Sequence, residues 1–336
     1  MNRNESVLNI DTVVIGASAG GVEALSRFVA LLPEDLPAAL LVVLHLPQVS
    51  HSVLPDILSR KGKLPACHAQ DGMTVEPGNI YVAPPARHML LKRKRIILVD
   101  GPRENGTRPS ADPLFRTAAR SCGRSVAGIV LSGMLDDGTQ GIAAVRRFGG
   151  LTIAQDPSDA LFSGMPRNAI EQVGVHHVLP IEGIAQLLRH VCAPTAETGE
   201  PDMPEKDQTE MSPAELAELE KQGRPSVFTC PECHGTLFEL AEDDYPRFRC
   251  RVGHAYSQET LMSDQWNALE AALWTALRSI EENNNLLLRL AERAEAQGFA
   301  ASGKHYRTKL QDGQKRAEVV RHALEGTARP PMERAS

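Results

Sequence analysis

No apolar stretch of this 336-residue sequence is long enough to span a bilayer. The opening MNRNESVLNID is polar and lacks the charged start and apolar core of a secretory signal. A cytoplasmic protein without direct membrane insertion is therefore expected. Its six cysteines are too few for a disulfide scaffold, and in a reducing compartment they read as core thiols or metal ligands. Positive charge is not in excess, with 36 Lys and Arg against 42 Asp and Glu, so the net charge of −6 gives no electrostatic case for nucleic acid. Two further absences concern the glycine-rich corner VVIGASAGGVEAL (13–25). No Lys follows its last glycine, which excludes a Walker A phosphate loop. Where a dinucleotide fingerprint needs its middle glycine, the chain has Ser18, and no acid ends the following strand.

What the corner does match is G-x-S-x-G, in Gly16-Ala17-Ser18-Ala19-Gly20. Small neighbours let a serine sit on a sharp strand-to-helix turn with its hydroxyl exposed, the arrangement of a nucleophile elbow. The same Ser18 could instead simply cap the helix that follows.

Around this corner the chain alternates strand-like and helix-like segments. Strands are expected at 12–16, 38–45, 78–84, 95–100, 126–133 and 151–156, and helices near 21–32, 51–60, 111–123, 139–148, 164–173 and 182–192. Near-continuous apolar strands alternating with helices predict an α/β fold with a doubly wound, mostly parallel sheet covered on both faces. The segment HMLLKRKRIILVDG reads as a hairpin whose KRKR (92–95) is a solvated turn. Cys67, Cys122 and Cys192 sit beside small or apolar residues and read as buried thiols.

In such a sheet, the loops at the carboxyl ends of the strands form the functional crevice. Ser18 follows the first strand, His45 closes the second, and Asp136 and Asp137 follow the strand IVLSG. A hydroxyl nucleophile, an imidazole base and a carboxylate to orient it therefore share one edge, as a hydrolytic triad requires. His51, His68, His88, His176 and His177 are rivals for the base, and Asp100 and Asp156 for the acid. Adjacency alone does not separate Asp136 from Asp137.

The ordered set IGASAGG, LHLP, IYVAPPARHM, RPSADPLFRTAA, VLSGMLDDGTQG and AQDPSDALFSGMP resembles the CheB-type chemotaxis methylesterase domain over about residues 11–192. The resemblance implies a triad of Ser18, His45 and Asp137, an oxyanion contact at the backbone N–H of Met134, and a cleft that includes Ala19 and Met165. It further implies hydrolysis of glutamyl methyl esters on chemoreceptor-type proteins, deamidation of glutamines by the same attack, and no catalytic cofactor. Chemotaxis members usually carry an N-terminal phospho-receiver domain. Here the matching region starts at about residue 11, so phosphoryl control in cis is not expected.

Residues 193–225 are acidic, proline-rich and poor in large apolar side chains, which predicts a flexible linker with a short helix at 212–222. A small module at 226–256 follows, holding Cys230-x2-Cys233 and Cys250-x3-His254, a zinc-ribbon-like spacing suited to one tetrahedral structural Zn²⁺. His234 is a rival ligand, and a c-type haem at CPECH would leave Cys250 and His254 unexplained. The tail, 257–326, repeats Trp266, Leu273, Ile280 and Leu287 every seven residues, with Leu269, Ala276, Asn283 and Leu290 three further on. With a break near Gln297-Gly298, this reads as a helical hairpin, or as a coiled coil through which the protein self-associates. Two functions compete on these features: a serine hydrolase with an appended docking region, and a non-catalytic scaffold acting through the zinc module and tail.

Overall fold

A computed structural model describes residues 9–45, 52–192, 223–240 and 246–327. The expected linker and its short helix fall almost wholly in 193–222, outside the described residues. Residues up to Leu261 belong to one compact unit and those from Met262 to a second.

The first unit is built on the strands β1 (Thr12–Ala17), β2 (Ala39–Leu44), β3 (Ala66–His68), β4 (Ile80–Val82), β5 (His88–Lys92), β6 (Arg95–Val99), β7 (Val126–Val130), β8 (Leu151–Gln155) and β9 (His177–Leu179). All but β5 and β6 form a seven-stranded sheet of order β3-β4-β2-β1-β7-β8-β9, and every pairing in it is parallel. Strand order reverses at β1, which has β2 on one side and β7 on the other. That reversal opens a crevice at the carboxyl ends of these strands.

Helices α1 (Gly21–Ala30), α2 (Leu54–Lys61), α3 (Ala111–Cys122), α4 (Thr139–Arg147), α5 (Gly164–Asn168) and α6 (Ile181–Val191) follow the strands. A π turn, Ala169–Val173, extends α5. The alternation along β1 shows how the two faces are filled. Val13, Ile15 and Ala17 join Phe28 of α1, Leu58 of α2 and Leu188 of α6. Val14 faces the other way, among Leu114 and Phe115 of α3, Ile142 of α4 and the hairpin residues Met89, Leu91 and Ile96. With helices on both faces, a strand has no polar side to present, so its sequence is apolar throughout.

Gly16 decides how closely α3 approaches β1. A Cβ at Gly16 would lie 2.7 Å from the Cβ of Ala111, so only glycine lets the start of α3 reach the end of β1. The β5–β6 hairpin turns at Arg93 and Lys94, both with positive φ, and Lys94 Nζ pairs with Asp11 at 2.7 Å. Two strands escape the sequence pattern. β3 and β9 have three residues each, too short for any periodicity to stand out. Cys67 departs from expectation: it is exposed because β3 is an edge strand, whereas Cys192 is buried.

Strands β10 (Arg224–Thr229), β11 (Thr236–Leu240), β12 (Arg247–Cys250) and β13 (Ala255–Tyr256) form a separate antiparallel sheet in chain order. Its small core is Cys230, Leu237, Phe248, Cys250, Tyr256 and Leu261. This sheet lies within the first compact unit rather than standing apart as its own body.

The second unit consists of the greater part of α7 (Gln258–Ala296) together with α8 (Ala300–Thr327). Gly298, with φ 79°, sits at the break between them. The two helices are joined by ion pairs Arg307–Glu295 and Arg321–Glu281. The heptad period is present, but its second row differs from the sequence reading. Leu277 and Ala291 are buried and Asn284 half-buried, while Ala276 and Asn283 are exposed. The seam therefore follows Leu273, Ile280 and Leu287 by four residues instead of three. Both offsets lie on one helix face, so the pattern alone does not choose between them.

Candidate active site and metal-ligand cluster

Ser18 leaves β1 on a turn closed by the Gly21 N–H donating to Ser18 O at 2.8 Å. Gly20 takes φ 72°, and a Cβ on Gly21 would lie 2.6 Å from Leu44 Cδ1 and 2.8 Å from Ala17 Cβ. Both glycines are thus required by the turn, one for its dihedral and one for space. The Ser18 N–H donates to Ser132 O at 2.9 Å, which ties the corner to the loop after β7.

His45 emerges from β2, and its own N–H donates to Ala17 O at 3.2 Å. Its Nδ1 stands 3.1 Å from Ser18 Oγ and its Nε2 2.7 Å from Asp137 Oδ2. Thr107 Oγ1 also approaches Nε2, at 3.4 Å. Of the rival histidines, His51 lies outside the described residues and three others are engaged elsewhere. His68 Nε2 meets Ser52 O, His88 Nε2 meets Pro102 O, and His176 Nδ1 meets Thr152.

Asp137 is buried in a cradle built largely by the start of α3. Ser110 Oγ donates to its Oδ1 at 2.6 Å, the Ala111 N–H to its Oδ2 at 2.6 Å, and Asn105 Nδ2 to its Oδ1 at 2.9 Å. Burial alone would raise its pKa, but His45, Ser110 and Ala111 outweigh that and hold the carboxyl well below the usual range. Asp112, beside it, is raised by burial and then by the charge of Asp137, while Arg116 acts in the opposite direction. Of these two neighbours, Asp137 is the one whose surroundings favour the charged form. The hydrogen bond on Nε2 leaves Nδ1 as the ring atom that can take a proton from Ser18.

Asp136 turns away from the imidazole. Ser257 Oγ and Thr260 Oγ1 donate to its Oδ1 at 2.8 and 2.9 Å. The two aspartates that sequence adjacency leaves undivided therefore have distinct surroundings.

The other cleft residues converge on the same corner. Met165 is buried, and its N–H donates to Gly133 O at 2.9 Å. A Cβ on Gly133 would fall 2.0 Å from Met165 Sδ and 3.0 Å from Ser18 Cβ, which places Gly133 against Ser18. Met134 follows Gly133 directly in a bend, and Ala19 follows Ser18 in the turn after β1. Three contributors escape a reading of the sequence. Asn105 and Thr107 sit in a loop without periodicity, and Ser110 lies just before a helix, where it resembles any cap.

A second constellation lies in the small antiparallel sheet. The ligand atoms of Cys230, Cys233, Cys250 and His254 all lie within 4.8 Å of one another. Cys233 Sγ is 3.6 Å from Cys250 Sγ, and His254 Nδ1 is 3.6 Å from Cys230 Sγ and 3.5 Å from Cys250 Sγ. These separations are too long for a disulfide. They fit the edges of a tetrahedron around Zn²⁺, for which bond lengths of about 2.3 Å to sulfur and about 2.0 Å to nitrogen give ~3.5–3.8 Å. Glu232 lies 3.1 Å from His254 Nε2, so the ring is oriented by a carboxylate with Nδ1 turned to the thiols. His234 is not part of the group.

The fold is α/β, and Ser18, His45 and Asp137 meet in the order of contacts that a serine hydrolase uses. The CheB methylesterase family model matches residues 13–188, and the chain belongs to that family. It is 40% identical over 185 residues to protein-glutamate methylesterase/protein-glutamine glutaminase 4 of Anaeromyxobacter dehalogenans, covering 54% of this chain and 52% of the relative. To the protein-glutamate methylesterase/protein-glutamine glutaminase of Escherichia coli it is 39% identical over 178 residues, 52% of this chain and 51% of the relative. The chain thus spans about half the length of the curated relatives it matches. The crystal structure of the Thermotoga maritima CheB methylesterase catalytic domain superposes with a TM-score of 0.51 at 32% identity, covering 54% of this chain and 97% of that one.

Proposed function

We propose that this chain is a protein-glutamate methylesterase, acting on glutamyl methyl esters of chemoreceptor-type proteins. The observation that carries the reading is the continuous array Ser18 Oγ, His45 Nδ1, His45 Nε2 and Asp137 Oδ2, with separations of 3.1 and 2.7 Å. Similarity to relatives named protein-glutamate methylesterase/protein-glutamine glutaminase supports the substrate class.

Ser18 Oγ attacks the ester carbonyl while His45 Nδ1 accepts its proton. Asp137, ionised in its cradle, keeps the other proton on Nε2 and balances the imidazolium. The backbone N–H groups of Met134 and Ala19 donate to the oxyanion, and Met165 lines the cleft. Methanol leaves with the proton from His45. Water, deprotonated by the same nitrogen, then attacks the acyl-serine and releases glutamate. A glutamine side chain follows the same course with ammonia as the leaving group. None of these steps calls on a cofactor. The protein works on receptors from the aqueous side, and among the described residues no helix is long and apolar enough to cross a membrane.

The Cys₃His group holds one structural Zn²⁺, with Cys230, Cys233, Cys250 and His254 as ligands. A sheet with so small a core is stabilised further by such a metal. The test of the esterase is methanol release from methylated chemoreceptor membranes, comparing the wild type with Ser18→Ala. Release that disappears in the variant is expected. No release from folded wild-type protein on any receptor would overturn the reading in favour of a non-catalytic scaffold.

A further inference from the structure

We infer that the Cys/His module is a buttress for the catalytic acid, so that metal binding at Cys230, Cys233, Cys250 and His254 sets the position of Asp137. This inference rests on the methylesterase reading of the triad.

The connection runs through the loop between β6 and α3. Asn105 N–H donates to Ala255 O at 2.8 Å, and Ala255 N–H donates to Arg103 O at 3.2 Å, so β13 lies alongside this loop. The Asn105 side chain is the joint. Its Oδ1 accepts the Ser257 N–H at 3.1 Å, while its Nδ2 donates to Asp112 at 2.8 Å and Asp137 at 2.9 Å. An amide has one acceptor end and one donor end. With the Ser257 N–H holding the oxygen, both Nδ2 protons face the acids. Without it, Oδ1 loses its donor, and the amide is no longer held at fixed distance and angle from the module's side.

Three more contacts reinforce the joint. Glu104 is buried between Arg116 of α3 at 2.8 Å and Arg247 of β12 at 2.9 Å, and these guanidinium groups hold its carboxyl well below the usual range against the effect of burial. Ser257 and Thr260 grip Asp136, the residue before the acid. A Cβ on Gly253 would come within 2.8 Å of Pro102 Cγ, so the knuckle of the module lies directly on the loop.

The metal group governs this contact by chain geometry. His254 is the residue before Ala255 and three before Ser257. Glu232, which orients His254, also pairs with Arg103 at 3.6 Å. Fixing Cys250 and His254 on one ion therefore fixes the backbone that meets Asn105. Asn105 is a positioning residue, since it acts on the substrate only through Asp137 and His45.

The test uses the full chain, metal-loaded and after removal of zinc by a chelator, with folding followed by circular dichroism. Removal is expected to lower kcat about 10- to 100-fold with KM nearly unchanged, and added Zn²⁺ to restore it. In metal-loaded Asn105→Ala, kcat should already be low at full zinc content, and stripping should lower it by much less than in the wild type, because both changes act on one joint. Losses that multiply, or a kcat indifferent to zinc, overturn the inference. If stripping unfolds the first unit, the metal-loaded Asn105→Ala protein decides alone: unchanged kcat overturns the inference. A second readout needs no turnover. The downfield proton resonance of the His45–Asp137 hydrogen bond should shift or broaden on stripping and recover with Zn²⁺. A wild type inactive on all receptors but showing that shift would refute the esterase and leave the coupling standing, whereas an unmoved resonance would refute the coupling.

Discussion

His45 Nε2 lies 2.7 Å from Asp137 Oδ2, a shorter contact than the 3.1 Å between His45 Nδ1 and Ser18 Oγ. The imidazole is thus held more closely by its acid than by the hydroxyl it serves. Asp137→Asn preserves shape but removes the charge and allows the wrong tautomer. We expect kcat to fall by about 10⁴-fold in methanol release, with substrate affinity retained. A fall of less than tenfold would mean that Asp137 does not orient the base.

Asp136 gives a prediction about pH. Burial pushes its carboxyl up to about 6, against the lowering effect of the Ser257 and Thr260 hydroxyls. The folded state therefore keeps a proton that the unfolded chain releases near pH ~3.9. The associated stability is fully present below that pH and is lost as the pH rises through about 6. Asp136→Asn has no such loss, so its stability relative to wild type should increase by up to about 3 kcal/mol between roughly pH 4 and 7. Urea denaturation at several pH values checks this, and a stability difference independent of pH would contradict it.

Gly133 is squeezed between Ser18 and Met165, where a Cβ would overlap the thioether at 2.0 Å. Gly133→Ala is expected to destabilise the protein by about 1–3 kcal/mol through overpacking. It should also displace the nucleophile, so activity is lost even at temperatures where the variant is folded. Thermal denaturation and methanol release, measured on the same preparation, separate the two effects.

Metal analysis should find one zinc per chain, lost in Cys250→Ala. Cobalt substitution gives an independent measure, since tetrahedral thiolate coordination produces intense visible absorption. A spectrum without thiolate bands would exclude Cys₃His ligation.

Much of the doubly wound sheet is legible in the sequence because strands buried on both faces are apolar throughout, and the chemistry collects at their carboxyl ends. Ser18 and His45 can be placed there from the strands alone. Asp137 cannot be separated from Asp136 by pattern, because neighbouring residues of one turn differ only in direction. The resemblance to CheB methylesterases points to Asp137, and the physical difference lies in what surrounds each carboxyl. One faces His45 and the start of α3, while the other faces Ser257 and Thr260. The role of Asn105 has no local signature. Its partners lie seven residues away at Asp112, 32 away at Asp137 and 152 away at Ser257. Such a joint exists only once the chain has folded.

The contact between Gly16 and Ala111 carries a consequence for how this site can vary. The nucleophile hangs from the strand that contains Gly16, and the acid is gripped by the helix that begins at Ala111. The spacing between Ser18 and Asp137 is therefore set in part by the protein's interior, where two small residues press together. Loops outside the β6–α3 segment can vary without moving either end of the triad, whereas one methyl group at position 16 would force them apart.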